Sequence, residues 1–151
     1  MMDNKLYVIP YKANHGKIIM ASQLNHVISQ LEIDFIKESS NLEEKDMAFT
    51  CIINDEVIAS AGIKKIWGQM GEGWVLATNK IYQHPLAIAK AIKQNFEYVA
   101  KSNNIKRVQT AVRADYGIGI RFAKWLGLKN EGLMKHYGLD GSDNYRFARI
   151  F

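Results

Sequence analysis

The sequence predicts one α+β domain built on a mixed, mostly antiparallel sheet of six to seven strands with about four flanking helices. Three observations carry this. Between Gly73 and Gly127 short apolar runs alternate with helical stripes, the pattern of a strand-helix-strand-helix unit. Ahead of that unit, β-rich apolar runs are joined by turn residues, as antiparallel strands are. Behind it, Leu139–Asp143 separates two further runs, which reads as a closing hairpin.

At 151 residues the chain is most simply a single domain spanning 1–151, and 48% hydrophobic with 23% charged residues is the composition of a folded protein. No apolar run approaches the roughly 20 residues of a membrane span, and Met1–Lys5 is not followed by a signal-like core. A cytoplasmic protein with no membrane partner is expected. The net charge of +5 is uneven, −4 over residues 1–60 (five Lys/Arg, nine Asp/Glu) and +9 over residues 61–151 (fifteen and six). A basic second part suits an anionic ligand. Its Lys and Arg are spread over helices and strands and not clustered with aromatics, which argues against nucleic acid. The four histidines have no paired spacing, so no metal site is predicted. Cys51, the single cysteine, lies in an apolar run where packing outweighs a nucleophilic role.

In chain order, Leu6–Ile9 reads as a strand ended by Pro10. From Asn14 to about Glu38 the apolar spacing is helical, split into two short helices, with His15 and His26 at the surface. Residues 39–46 form a polar connector. Ala48–Ile53 and Val57–Lys65 make a hairpin through Asn54-Asp55-Glu56, and Trp67–Gly73 is a glycine-rich turn into the strand Gly73–Thr78. A polar turn, Asn79–His84, precedes a helix that opens at Pro85, where a missing N–H costs nothing. Ile88, Ile92, Phe96 and Val99 form its buried stripe, and Ser102-Asn103-Asn104 stops it. In Arg107–Val112, Val108, Thr110 and Val112 share one face. A second helix places Ile118, Phe122, Trp125 and Leu126 together and ends at Gly127. Trp67, Trp74 and Trp125 are expected in the core or in cleft walls.

The segment Trp125-Leu126-Gly127-Leu128-Lys129-Asn130-Glu131-Gly132 resembles the part of GNAT-type N-acetyltransferases where a helix passes through a Gly-hydrophobe pair into the sixth strand. Element order extends the likeness over most of the chain, closely over 73–151. The Trp74 strand, Tyr82-Gln83-His84-Pro85 and the helix from Arg121 to Gly127 look most like phage-encoded members, similar to an acetyltransferase-like internal virion protein. The resemblance implies a GNAT-like fold with a V-shaped splay between the Val75 and Val108 strands. It implies acetyl-CoA as co-substrate, its pantetheine pairing with exposed backbone of Leu76, Ala77 and Thr78. Lys80, Tyr82, His84, Pro85, Leu86 and Phe122 would complete that site, with pyrophosphate at the start of the Pro85 helix. The usual glycine-rich phosphate loop is replaced by Asn79–Pro85, and Ala123 and Tyr116 stand where a tyrosine and an asparagine are frequent.

Acetyl transfer requires a base for the amine and an acid for the departing sulfur. The resemblance places Glu72 as base, against a solvated turn carboxylate, and Tyr116 or Tyr137 as substitute acid, against simple packing. His84 either caps the helix or contacts phosphate, and Lys80 either pairs with phosphate or is solvated. The activity implied is transfer of an acetyl group to a primary amine, of a small molecule or of a protein Lys or N-terminus, and a homodimer is allowed. The alternative is a catalytically degenerate phage protein acting in virion assembly or host-protein binding, located in the host cytoplasm or the virion.

Overall fold

The computed structural model describes residues 5–22, 25–27 and 42–151. Its elements are β1 (Leu6–Pro10), α1 (Ala13–Ala21), β2 (Asn25–Val27), β3 (Ala48–Ile53), β4 (Glu56–Trp67), β5 (Met70–Thr78), a 3-10 turn (Asn79–Gln83), α2 (Pro85–Ser102), β6 (Arg107–Arg113), α3 (Gly117–Trp125), β7 (Lys129–Met134) and β8 (Asn144–Ile150). The strands form one sheet in the order β1-β3-β4-β5-β6-β8-β7, with β2 paired to β5 off this path. Adjacent strands are antiparallel except β5 and β6. The mostly antiparallel α+β architecture read from the sequence is therefore the one observed.

Local chemistry explains most boundaries. The β3–β4 hairpin turns on Asn54 and Asp55, both with positive φ (53° and 61°), the backbone a tight two-residue turn needs and these side chains tolerate. Pro85 opens α2 as expected, and Asn103 closes it by donating its side-chain amide to Val99 O at 2.8 Å. Gly127 has φ +84°, and Gly127 N–H and Leu128 N–H donate to Lys124 O and Ala123 O, a Schellman-type end for α3. Arg149 closes the same corner, donating to Leu126 O at 2.9 Å and to Glu97 at 3.2 Å.

The sheet separates two apolar clusters. On one face Ile88, Ile92, Phe96 and Val99 of α2 pack on Cys51, Ala61, Val75, Val108, Val112 and Phe147, as the predicted stripe requires. On the other, Ile19 of α1 packs with Tyr11, Leu42, Ala48, Trp74 and Leu76. Among the described residues no helix is long and apolar enough to cross a membrane.

Two expectations are corrected. Among the described residues the helical reading of residues 14–38 holds for α1 and fails at Asn25–Val27. Asn25–Val27 is a strand, because the free edge of β5 offers backbone partners that override the local helical spacing, and residues 28–41 lie outside the described part. Trp67 is 69% exposed at the β4–β5 turn, where the strands project past the helices, and belongs to neither core nor cleft.

The left-handed backbone at Gly127 makes a specific demand. Gly127→Ala should destabilise the fold by about 1–2 kcal/mol in urea unfolding, since an L residue there is strained and its Cβ meets Arg149.

Candidate active site

The site is defined by where the sheet opens. β5 bonds to β4 along nearly its whole length, from Met70↔Trp67 to Ala77↔Ala59, and β6 bonds to β8 from Arg107↔Ile150 to Arg113↔Asn144. The two halves meet at three parallel pairs, Met70↔Arg107, Gly71↔Val108 and Glu72↔Gln109, and then separate. Glu72 thus sits at the point of the V. Beyond it, β2 takes the β6-facing edge of β5 through Val27↔Leu76, His26↔Ala77 and Asn25↔Thr78. The backbone of Leu76, Ala77 and Thr78 is therefore not open, contrary to the sequence-based expectation, because the chain's own strand satisfies it.

Alternation along β5 sends Val75 and Ala77 to the α2 face, where they floor a cleft of about 450 Å³. Ile81 and Tyr82 of the 3-10 turn, Pro85, Leu86, Ile88 and Ile92 of α2, and Tyr116, Ile118, Arg121, Phe122 and Trp125 at α3 line it. The apolar side of α3 faces this cleft in part, which is why Ile118 and Trp125 are exposed. Trp125 forms a wall, donating its indole N–H to Ala89 O at 3.2 Å beneath Lys93. Tyr116 is held by the absence of a side chain at Gly119, where a Cβ would lie 2.7 Å from its ring and 2.9 Å from Val112. Burial, with Tyr82 nearby, raises the Tyr116 phenol above its ordinary pKa. A smaller cavity of about 30 Å³, which shares Val75, Ile92 and Phe122 with the cleft, is lined by Thr110, whose buried hydroxyl has no hydrogen-bond partner among the described residues.

The opposite face carries the charge. Glu72 is 7% exposed, and burial pushes its carboxyl up to about 7, against the downward pull of Arg146 and a hydrogen bond from Gln109. Arg146 Nη1 lies 3.7 Å from Glu72 Oε2, and its Nη2 donates to the Tyr137 hydroxyl at 3.4 Å. Two of the proposed catalytic residues, Glu72 and Tyr137, are thereby joined by an arginine that sequence spacing did not single out. Trp74 lies two residues beyond Glu72, and its buried indole N–H has no hydrogen-bond partner among the described residues.

The remaining candidates divide. Ala77, Tyr82, Pro85, Leu86 and Phe122 share the cleft with Tyr116. Leu76 points to the α1 face, and Thr78 donates its hydroxyl to Ile58 O. Lys80 is ion-paired with Glu56 of β4, and not simply solvated. His84 occupies the N-cap position of α2, but its imidazole makes no cap hydrogen bond. His15 departs from its expected surface role. It is half-buried, bonded to Thr50 Oγ1 at 2.8 Å, and burial lowers its pKa. Cys51 is buried and its thiol is pushed up to about 12 by desolvation, which fits packing. Arg121 and Arg146 were missed. Nothing in sequence separates them from the other basic residues, since register and helix phase alone bring them to the cleft and to Glu72.

This architecture is that of known acetyltransferases. No protein-family model matches the chain, and no curated protein matches it by sequence. Solved structures do match. An acetyltransferase of the GNAT family from Bacillus anthracis aligns with TM-score 0.68 and 14% identity, over 99% of this chain and 96% of that one. Ard1 from Thermoplasma volcanium gives 0.74 and 14% over 96% and 97%. A mutant spermidine N-acetyltransferase from Vibrio cholerae gives 0.71 and 13% over 98% and 95%. The fold is the GNAT fold, with the central splay that the sequence resemblance implies.

The electrostatics of Glu72 can be measured directly. Its carboxyl carbon should titrate near pH 7 in NMR, and Arg146→Met should move the midpoint upward, because the guanidinium opposes the desolvation that raises it.

Proposed function

We propose that this protein is an acetyl-CoA-dependent N-acetyltransferase in which Glu72 is the general base. The observation that carries the reading is the position of this carboxyl at the point of the splay, buried, with a pKa near 7. A base matched to the working pH is the most effective proton acceptor. The acceptor amine would approach on the α1 face, where Glu72 lies, and the thioester from the α2 face through the gap between β5 and β6. The amine nitrogen forms a bond to the acetyl carbonyl carbon, and its proton passes to Glu72. The C–S bond then breaks, and the sulfur leaves with a proton from the Tyr116 phenol on the cleft side.

The cleft suits the apolar stem of the co-substrate. At the start of α2, Pro85 has no N–H and the N–H groups of Leu86 and Ala87 precede the first intrahelical donor, Ile88 N–H, which bonds His84 O; a phosphate at the cleft mouth would find these donors at the helix start. Arg121 on the rim adds a cation with no ion pair to another described residue. The 3-10 turn uses Lys80 N–H and His84 N–H internally, which replaces the close glycine cradle by Tyr82, Arg121 and the helix start. For pantetheine to pair with Leu76–Thr78, it would take the place of β2.

One observation favours a second reading. A protein of this fold in which β2 stays seated would be catalytically silent and free to serve virion assembly or host-protein binding, as the phage-like resemblance implies.

Hydrogen exchange separates the two. Acetyl-CoA should release Asn25–Val27 to fast exchange while Leu76–Thr78 remain protected, with saturable binding in calorimetry; no binding at millimolar cofactor would establish the silent reading. Where turnover is seen, Glu72→Gln should lower kcat/KM by about 10²–10⁴-fold. The wild-type pH profile should rise through about 7 as the carboxylate forms, and this inflection should vanish in the variant.

A further inference from the structure

The α1 face contains a cation whose hydrogen-bonding capacity is incompletely used. Three basic side chains stand on the strands around Glu72. Lys64, directly across from it on β4, is held by Glu44 at 2.8 Å. Arg107 is consumed by a two-pronged pair with Glu131, at 2.6 and 3.1 Å, and by Gln109. Arg146 differs. It is fixed in register between Ala111 of β6 and Gly132 of β7, and Tyr137 holds its Nη2. Its Nη1 is buried and has no hydrogen-bond partner among the described residues, and the Glu72 carboxylate is 3.7 Å away.

A buried guanidinium N–H without an acceptor is a donor open to a ligand. Guanidinium pairs with carboxylates and phosphates, and of these the planar, singly charged carboxylate is the smaller group to seat beside the buried Glu72. The spacing is informative as well. An amine hydrogen-bonded to Glu72 and a carboxylate hydrogen-bonded to Arg146 would each lie about 3 Å from their partners. Those partners are themselves 3.7 Å apart, so an acceptor whose amine and carboxylate lie close together can meet both at once. In an α-amino acid the nitrogen and the carboxylate oxygen are separated by two carbons, about 3 Å through space. A diamine offers no anion to Arg146, and in a protein N-terminus the corresponding carbonyl is an uncharged amide.

We propose that the amine acceptor is an α-amino acid, with its amine at Glu72 and its carboxylate on Arg146 Nη1. This rests on the acetyltransferase reading above. Trp74 Nε1–H, also buried and without a hydrogen-bond partner among the described residues, lies one pleat further along β5 on the same face.

The test compares acids with their amides. Purified protein with acetyl-CoA is offered glycine, alanine, leucine and phenylalanine, each against its primary amide, together with cadaverine and spermidine, and product is quantified by mass spectrometry. At least one amino acid should exceed its amide in kcat/KM by about 30-fold or more, the scale for losing one partner of a buried charge pair. Arg146→Gln should abolish that preference through KM while leaving acetyl-CoA affinity unchanged by calorimetry, and Arg146→Lys should restore part of it. Equal use of acid and amide, preference for a diamine, or no acetylation of any common α-amino acid by a protein that binds acetyl-CoA would overturn the inference alone. Failure to bind acetyl-CoA would overturn the acetyltransferase reading beneath it. Because the acid–amide comparison is made on the unaltered protein, the inference stays testable even if Arg146→Gln does not fold.

Discussion

The structure depends on three parallel residue pairs. Met70, Gly71 and Glu72 of β5 join Arg107, Val108 and Gln109 of β6, and no further pair follows. Each strand is otherwise committed to an antiparallel neighbour, β4 on one side and β8 on the other. Right-handed twist carries two such half-sheets apart once the bonds between them stop. The separation leaves one edge of β5 for β2 to take and places a carboxyl at its origin.

That opening divides the work between the faces. On the α2 side the sheet meets apolar helices, and the cleft is built from Ile, Phe, Trp and Tyr side chains with an arginine at the rim. On the α1 side Glu72, Gln109, Arg146 and Tyr137 form a polar cluster that the neighbouring apolar residues keep dry enough to raise a carboxyl to about 7. Arg149 shows how the framework is held. One guanidinium caps the end of α3, pairs with α2 through Glu97 and stacks on Phe151, so the two helices flanking the cleft are tied to β8.

Much of the fold was legible in the chain. Pro85 and the stripe Ile88, Ile92, Phe96 and Val99 mark α2 because helix starts and buried faces have strong local signals. Gly127 and the turn at Asn54-Asp55 are readable because only certain residues accept a positive φ. The site was legible only in part. Ala77, Tyr82, Pro85, Leu86, Phe122 and Tyr116 do gather in one cleft, since they follow from the element order. The half-buried setting of His15 and the exposure of Trp67 did not show, because both depend on what packs above a residue and not on the residue itself.

By itself the sequence determined the architecture: short-range periodicity, capping and turn chemistry are written within a few residues of where they act, and an α+β sheet with a strand-helix-strand centre follows from them. Tertiary structure decided the chemistry. Whether β5 keeps a free edge depends on β2, some fifty residues earlier in the chain by register (Val27 on Leu76). The proton affinity of Glu72 depends first on its burial and then on Arg146, which arrives from the far end of the chain through the β6–β8 register. Charge, burial and proton affinity are set by such long-range neighbours, and no local pattern of residues encodes them.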